Sequence, residues 1–238
     1  MAVIIDTVYK KVLAFANKEQ RGYITPQEFN TFADQAQKEI FEQYFYDLNQ
    51  FARVHGNSFL HSDIDQLLQE KMSVFEKGDD SSIISLYAGG TTAKTLPNYI
   101  YRIYRVEYDG INCEILNTND YNDRISGGPL TEPTASRPIT NIKNNKIKAA
   151  TCAGCQVVPS KILFFKKPAK PNWSYVVING KAMYNPNGSS LQNFELHDSE
   201  EVELVYKILK FAGISMKRDD IAKGGQGLES LQLQQEKL

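Results

Sequence analysis

The feature that most constrains the fold is the sharply marked start of a long aromatic helix near the beginning of the chain. Thr25, Pro26 and Glu28 have the spacing of a capping box. In that motif the threonine hydroxyl accepts a hydrogen bond from the glutamate amide, and the glutamate carboxylate accepts one from the threonine amide. Pro26 then occupies the first helical position, where its missing N–H leaves no hydrogen bond unmade. The sequence therefore predicts a helix that begins at Pro26.

The apolar residues of this helix cover more of its surface than those of an ordinary amphipathic helix. At about 100° per residue they spread over about 220° of the circumference, against about 100° for a helix with one buried face. They are Phe29, Phe32, Ala33, Ala36, Ile40, Phe41, Tyr44, Phe45, Leu48 and Phe51. The helix therefore needs partners on more than one side. We expect Phe41, Phe45 and Tyr46 to include contacts with another protein chain.

Three further helices are predicted from apolar spacing and from cap residues. One covers residues 6–18 and is expected to pack on the Pro26 helix as a helical hairpin. Another is expected to begin after the cap Ser62 and to continue to about residue 77, with acidic residues in its first turn. The last main helix is expected over residues 198–212, again with an acidic first turn.

The centre of the chain has the pattern of short strands. Residues 99–108 are rich in aromatic and β-branched types, and Asp109-Gly110 predicts a tight turn into a strand over 111–116. Asn179-Gly180 predicts a second such turn. The further strands are expected over residues 142–149, 156–158, 161–165, 173–178 and 181–184. We therefore predict an α+β fold, with terminal helices forming a helical bundle and a central small antiparallel β-sheet.

Two segments lack this regular pattern. Residues 117–138 contain several glycines and prolines and exceed the length of most internal loops, so we interpret them either as a functional arm or as a surface excursion. The glycines at 224, 225 and 227 predict a break before a short tail. Leu228, Leu231 and Leu233 of this tail are too few to be stable alone in water, so the tail is expected to be disordered or ordered by a partner. Its deletion is expected to leave the unfolding of the free chain nearly unchanged.

These patterns predict four segments along the chain. Residues 1–80 form an N-terminal helical unit, and residues 81–195 form the central β region with the long loop 117–138. Residues 196–223 form a C-terminal helix that packs on the N-terminal helices. Residues 224–238 form the flexible or partner-ordered tail.

The net charge of −1 hides a strong asymmetry along the sequence. Residues 133–194 contain nine basic residues and no acidic one, whereas the rest of the chain contains 18 basic and 28 acidic residues. Such a segment can bind nucleic acid, can contact an acidic protein surface, or can be a solvated basic sheet. Lys143, Lys146, Lys166 and Lys167 are the candidate contact residues.

The composition also bounds the environment of the protein. No apolar run approaches the ~18 to 20 residues of a membrane span, and residues 1–6 lack the basic start of a secretory signal. We therefore expect the protein to act in the compartment where it is made, without a membrane partner. Three cysteines form no disulfide framework in a chain of 238 residues, so free thiols in a reducing cytoplasm are expected.

Catalytic and metal-binding motifs are weak. Thr151-Cys152-Ala153-Gly154-Cys155 is the only metal-like or redox-like motif, and a zinc site would need two more ligands from Cys113 and three scattered histidines. The Gly-Gly-Gln-Gly sequence at 224–227 lacks the Lys-Ser/Thr of a phosphate-binding loop. We therefore expect no catalytic residues, no metal and no cofactor, although distant residues can still assemble an enzyme site.

Both ends of the chain resemble a known family. Residues 14–30, Ala-Phe-Ala-Asn-Lys-Glu-Gln-Arg-Gly-Tyr-Ile-Thr-Pro-Gln-Glu-Phe-Asn, and residues 202–213, with Glu-Leu-Val-Tyr-Lys-Ile-Leu-Lys-Phe-Ala-Gly at their core, are similar to virion structural proteins of tailed bacteriophages, especially the crAss-like phages. The resemblance covers roughly the first 50 and the last 40 residues and does not extend to the centre.

The resemblance implies a head-to-tail connector, a ring protein without catalytic activity at the portal vertex or neck of the virion. It implies a cyclic homo-oligomer, with twelve copies as the first expectation. Its partners would be the portal protein, adjacent neck or tail proteins, and double-stranded DNA that passes through the channel without sequence-specific recognition. The protein would be made in the host bacterial cytoplasm. The alternative function is nucleic-acid binding through the basic segment 133–194, where Phe164, Phe165, Trp173 and Tyr175 are interleaved with lysines.

Overall fold

Helices and small sheets both form in the part of the chain that the computed structural model describes, residues 3–16, 24–53, 59–78, 94–152, 155–157, 159, 161–215 and 219–236. The six helices in these residues are α1 (Ile5–Ala16), α2 (Pro26–Arg53), α3 (Phe59–Ser73), α4 (Thr118–Ser126), α5 (Glu201–Ser215) and α6 (Asp219–Glu236). The mixed α and β character predicted from the sequence is confirmed.

The strands are short. They are β1 (Glu76–Lys77), β2 (Lys94–Thr95), β3 (Ile100–Tyr108), β4 (Ile111–Asn112), β5 (Glu114–Leu116), β6 (Ile139–Lys143), β7 (Lys146–Cys152), β8 (Cys155–Val157), β9 (Lys161–Lys166), β10 (Tyr175–Ile178) and β11 (Lys181–Tyr184). The chain divides into two compact units. Unit 1 combines Met1–Val74 with Pro168–Leu238, and unit 2 is Phe75–Lys167. The β10–β11 hairpin therefore belongs to the helical unit, whereas the sequence prediction grouped it with the central strands.

The start of α2 is set by its capping box, as predicted. The Thr25 amide donates to Glu28 Oε2 over 2.9 Å, and the Glu28 amide donates to Thr25 Oγ1 over 3.3 Å. Hydrogen bonds from the Thr25 amide and hydroxyl also lower the pKa of Glu28. The start of α3 differs from the prediction, because Ser62 lies inside the helix that begins at Phe59. The first helix is described over Ile5–Ala16, and residues 17–18 of its prediction lie outside the described part of the chain.

Helix α5 occupies the centre of unit 1, where it contacts α1, α2 and α6. Its buried apolar residues are Leu204, Val205, Ile208, Leu209 and Ala212. Helix α2 contacts both α3 and α5, so its wide apolar stripe has partners within its own unit. Lys71 of α3 pairs with Glu200, just before α5, over 2.7 Å with both side chains nearly inaccessible.

Polar side chains of α2 attach the segment that leads to the β10–β11 hairpin. The fully buried Gln37 donates from Nε2 to the carbonyl of Ala169 over 2.8 Å and accepts from the amide of Glu195 over 3.0 Å. About two turns earlier on α2, Asn30 accepts from the amide of Trp173 over 2.8 Å. These bonds satisfy backbone groups that would otherwise be buried without partners, so α2 positions the base of the hairpin.

The prediction of one central antiparallel sheet is wrong. Unit 2 contains a four-stranded antiparallel sheet, ordered β1-β9-β3-β4, and a five-stranded sheet, ordered β2-β7-β6-β5 with β8 paired to β7. Strands β5 and β6 are parallel. The chain leaves the β3–β4 hairpin after Asn112 and enters the second sheet at Glu114. The sequence of residues 111–116 has the pattern of one uninterrupted strand and does not reveal this switch.

Two local predictions for unit 2 also need correction. The strand predicted over residues 142–149 is a hairpin, because Asn144 and Asn145 have φ values of 51° and 58° and reverse the chain between β6 and β7. Asparagine tolerates this left-handed conformation better than other side chains except glycine. The predicted loop 117–138 begins with α4, capped by the Asn117 side chain, which accepts from the Asp120 amide over 2.9 Å. Its polar sequence has too few apolar residues for periodicity to reveal a helix.

The prediction of three free thiols is wrong for two of the cysteines. Cys152 and Cys155 form a disulfide across the β7–β8 connection, with their Cα atoms 4.9 Å apart. Cys113 is a buried free cysteine. Burial raises the pKa of its thiol. Within the described residues, no helix has the length and apolarity to cross a membrane.

Candidate functional site

The residues predicted to contact another chain from α2 differ in their exposure. Phe41 is buried, and its ring contacts that of Phe45 edge to face with centroids 5.2 Å apart. Phe45 is half-buried, whereas Tyr46 is 58% exposed. The Tyr46 hydroxyl accepts a hydrogen bond from Gln50 over 2.6 Å, which holds the ring against the helix surface. Of the three, Tyr46 therefore presents the largest fraction of its surface to a partner.

The predicted contact lysines lie on two different sheets of unit 2. Lys143 and Lys146 are directly opposite each other on β6 and β7, on either side of the Asn144-Asn145 turn, and both are exposed. Two like charges at opposed positions repel each other. Lys166 ends β9 and its backbone amide donates to the Phe75 carbonyl over 2.9 Å, while the exposed Lys167 follows it. The four predicted lysines thus form two separate pairs, one pair on each sheet.

The predicted break at the glycines of residues 224–227 is wrong, because α6 continues through them to Glu236. Gly225 is buried against α5, and a Cβ at this position would lie 3.0 Å from the Lys210 amide nitrogen and 3.2 Å from the Tyr206 carbonyl oxygen. Glycine therefore permits close packing of the two helices. A cluster of glycines in a sequence usually indicates a break in a helix. The packing role of Gly225 depends on the neighbouring helix α5 and is visible only in the structure.

A buried charge cluster also joins α6 to α5. Glu229 of α6 accepts from Lys207 over 2.6 Å and from Lys210 over 2.9 Å, and Lys207 lies 3.3 Å from Glu203 one turn away. Burial raises the pKa of Glu229, but the hydrogen bonds and charges of the two lysines outweigh it and lower the pKa. Burial lowers the pKa of Lys207, but Glu229 and Glu203 outweigh that effect and raise it. The tail is thus held by its own chain.

Replacing Gly225 with alanine is expected to destabilise unit 1 by about 1–3 kcal/mol, because the new methyl group would meet the α5 backbone and overpack the interface. The matched control is Gly224→Ala, since a Cβ there has no neighbouring atom within 4 Å. Alanine is the better helix former by about 1 kcal/mol, so the control should be neutral or stabilising. Urea unfolding of both variants measures the difference. Equal effects of the two substitutions would contradict close packing at Gly225.

The leucines of α6 face away from this packed side where the structure describes their side chains. Leu228 is 42% exposed and Leu231 is 58% exposed, although the helix that carries them is docked. The side chain of Leu233 lies outside the described part of the structure. Leu228 and Leu231 therefore remain candidate contacts for a partner.

One exposed surface was not identified as a candidate site from the sequence. In the β10–β11 hairpin, the side chains of Val176, Val177, Ile178 and Met183 are all about half exposed or more. The Trp173 ring anchors the base of the hairpin, stacked on Tyr175 and Tyr184 at centroid distances of 5.8 and 5.9 Å. The Val-Val-Ile run was the sequence feature that could have indicated this surface. A run of apolar residues in a strand does not by itself show whether the strand is buried or exposed.

The described residues contain no group of three or more His, Cys, Asp or Glu side chains that could hold a metal ion. A cavity of about 530 Å³ in unit 2 is lined by Lys77, Gly78, Tyr99, Phe164 and Lys166. Comparison with models of known protein families finds no match, and comparison with curated proteins finds no significant match.

Proposed function

We propose that the chain is a structural virion protein, a subunit of an oligomeric ring that connects the portal and capsid to the tail of a tailed bacteriophage. The ring would form part of the channel through which DNA passes, and the subunit would have no catalytic role. The observation that carries this proposal is the presence of large exposed apolar side chains on separate elements of unit 1. They include Tyr46 on α2, Val177 on β10 and Leu231 on α6.

Of these positions, Val177 belongs to a continuous exposed apolar run, Val176 to Ile178, and contiguous exposed apolar surface marks protein contacts. The resemblance of residues 14–30 and 202–213 to connector proteins gives the partners in such contacts an identity. They would be further copies of the chain, first expected to number twelve in total, the portal protein and adjacent neck or tail proteins. In this proposal the terminal helices α1, α2, α5 and α6 form the bundle that carries the contact surfaces.

The location is tested by mass spectrometry of purified virions, and the architecture by electron microscopy of the neck. The proposal expects the chain in virions in several copies and density for a closed ring between the portal and the tail. Absence of the chain from purified virions would contradict the proposal.

The basic surface of unit 2 separates this proposal from its alternative, nucleic-acid binding. The double variant Lys143→Glu with Lys146→Glu is expected to reduce incorporation into virions, because these lysines would contact an acidic protein surface. Its thermal midpoint should be nearly that of the wild type, since exposed substitutions usually change stability by no more than about 0.5 kcal/mol. Lys223→Glu, an exposed position of the other unit, is the charge-reversal control for the thermal midpoint.

A binding assay with duplex DNA at increasing salt completes this test. Binding dominated by phosphate contacts weakens steeply as salt increases. Tight, salt-sensitive DNA binding that the double variant loses, together with unchanged incorporation into virions, would favour the nucleic-acid alternative.

A further inference from the structure

The β10–β11 hairpin is anchored at its base and exposed along its length. Trp173 is buried between Tyr9 of α1 and the two tyrosines of the hairpin, and its Nε1 donates to Asp6 over 3.1 Å. Beyond this anchor, Val177 is 63% exposed and Ile178 is 51% exposed. Among the described residues, no third strand pairs with the hairpin.

This arrangement is unfavourable for an isolated subunit. A two-stranded hairpin is at best marginally stable in water. Its apolar side chains stabilise the fold only when they are removed from solvent. The structure fixes the base of the hairpin firmly while leaving the apolar part unburied. The hairpin therefore has the properties of a projection that is buried by a partner.

The charge of the hairpin restricts the chemistry of that partner. Lys181 is the only charged residue of the ten from Tyr175 to Tyr184, and the whole segment 133–194 contains no acidic residue. A complementary partner surface combines exposed apolar area with negative charge.

The second half of α2 has these properties. Residues 39–52 contain no basic residue, and their exposed acidic residue is Glu42, since Glu39 is half-buried and Asp47 is buried. Glu42 is exposed one turn before the exposed Tyr46, so this part of α2 presents an aromatic ring beside a carboxylate. The two surfaces are complementary, apolar and basic on the hairpin, aromatic and acidic on α2.

The two surfaces are well separated within one subunit. Asn30 of α2 bonds to Trp173 at the base of the hairpin, and Tyr46 lies 16 residues further along the same helix. At 1.5 Å per residue this is about 24 Å along the helix axis. Complementary patches at different places on one molecule produce a head-to-tail contact, which closes into a ring when the rotation between copies allows it.

We infer that the β10–β11 hairpin of one copy docks on the α2 surface around Glu42 and Tyr46 of the next copy, with Lys181 facing Glu42. This inference rests on the proposed ring function and assigns the contact between its subunits. It treats Val177, Ile178 and Met183 as the apolar centre of the interface and Lys181 as the residue that sets its orientation.

A charge exchange between the two positions tests the contact. Lys181→Glu and Glu42→Lys are each expected to weaken self-association of the purified chain by about tenfold or more, measured by sedimentation velocity over a concentration series. An equal mixture of the two variants should associate again. When the two variants alternate in an assembly, every hairpin meets an α2 surface of opposite charge, either as in the wild type or with both charges exchanged.

An apolar substitution tests the same contact independently of the lysine. Val177→Asp is expected to abolish self-association, because it places a carboxylate in the apolar centre of the interface next to the acidic surface of α2. Leu130→Asp is the matched control, since Leu130 is 95% exposed and belongs to the other unit. Circular dichroism of all the variants should match the wild type.

The outcomes distinguish the inference from the proposed function. If the wild type forms rings but the charge variants assemble equally well, the contact is overturned while the ring function stands. A wild-type chain that stays monomeric at every concentration also overturns the inference, because the contact needs only two copies of this chain. The ring function is then decided separately by the microscopy of virions.

Discussion

Replacing Trp173 with alanine is expected to lower the free energy of unfolding by about 3–5 kcal/mol, the usual range for a large aromatic residue removed from a core. Trp173 is 3% exposed. Its ring lies 4.1 Å from that of Tyr9 and also stacks on two tyrosines of the hairpin. The substitution therefore leaves a cavity where α1 and the hairpin base meet. Chemical denaturation followed by circular dichroism measures the loss.

Trp173→Phe separates the ring contacts from the hydrogen bond. Phenylalanine retains an aromatic ring but cannot donate to Asp6, which would keep its ion pair with Lys10 at 2.6 Å. We expect the free energy of unfolding to fall clearly less in this variant than in the alanine variant. The phenylalanine variant loses only the hydrogen bond, and hydrogen bonds to charged groups contribute about 1.5–3 kcal/mol. An alanine variant as stable as the wild type would show that the aromatic cluster does not hold the hairpin base.

Replacing Glu229 with alanine is expected to destabilise the protein by about 3 kcal/mol or more, because the buried cluster then has two lysines and one glutamate and keeps one uncompensated positive charge. Lys207 would remain buried with Glu203 alone, at 3.3 Å. Lys210→Ala is the control. Lys210 is partly exposed, so its loss should cost no more than about 1 kcal/mol.

The same carboxylate predicts a pH dependence. The pKa of Glu229 is lowered in the folded state, so its contribution is complete above the unfolded value of about 4.3 and is lost as the pH falls through the lower folded value. Glu229→Gln should therefore reduce the stability difference between neutral and acidic solution. Unfolding by urea at neutral pH and below about pH 4, for the wild type and for the variant, measures the stability difference between the two pH values in each protein. Equal slopes for wild type and variant would contradict a native-state ion pair at Glu229.

This cluster also revises the expectation for a shortened chain. Deletion of residues 226–238 removes Glu229, which no sequence pattern marks as structural. We now expect the truncated chain to lose stability by at least as much as the Glu229→Ala variant, rather than to unfold like the wild type. Reduced assembly of a truncated chain would therefore not by itself identify Leu228 and Leu231 as partner contacts. Single substitutions at these two exposed leucines are the suitable test.

Short sequence motifs were sufficient to predict where one helix begins and where two hairpins turn. The capping box at Thr25 placed the start of α2, and the Asp109-Gly110 and Asn179-Gly180 turns placed two hairpins, each with positive φ at both turn residues. Each of these features depends on hydrogen bonds and backbone preferences within about four residues. These helix starts and turns can therefore be predicted from the neighbouring residues alone.

The sequence by itself thus determined the mixed α and β class, the start of α2 and the tight turns, because short-range interactions decide these. Only the tertiary structure decided that α6 passes through Gly225, that Glu229 is buried beside Lys207, and that the strands of unit 2 divide into two sheets. It also decided that Val177 is exposed on an anchored hairpin while Phe41 is buried. The burial of a side chain depends on residues far away in the chain, and neither composition nor periodicity specifies which surfaces meet.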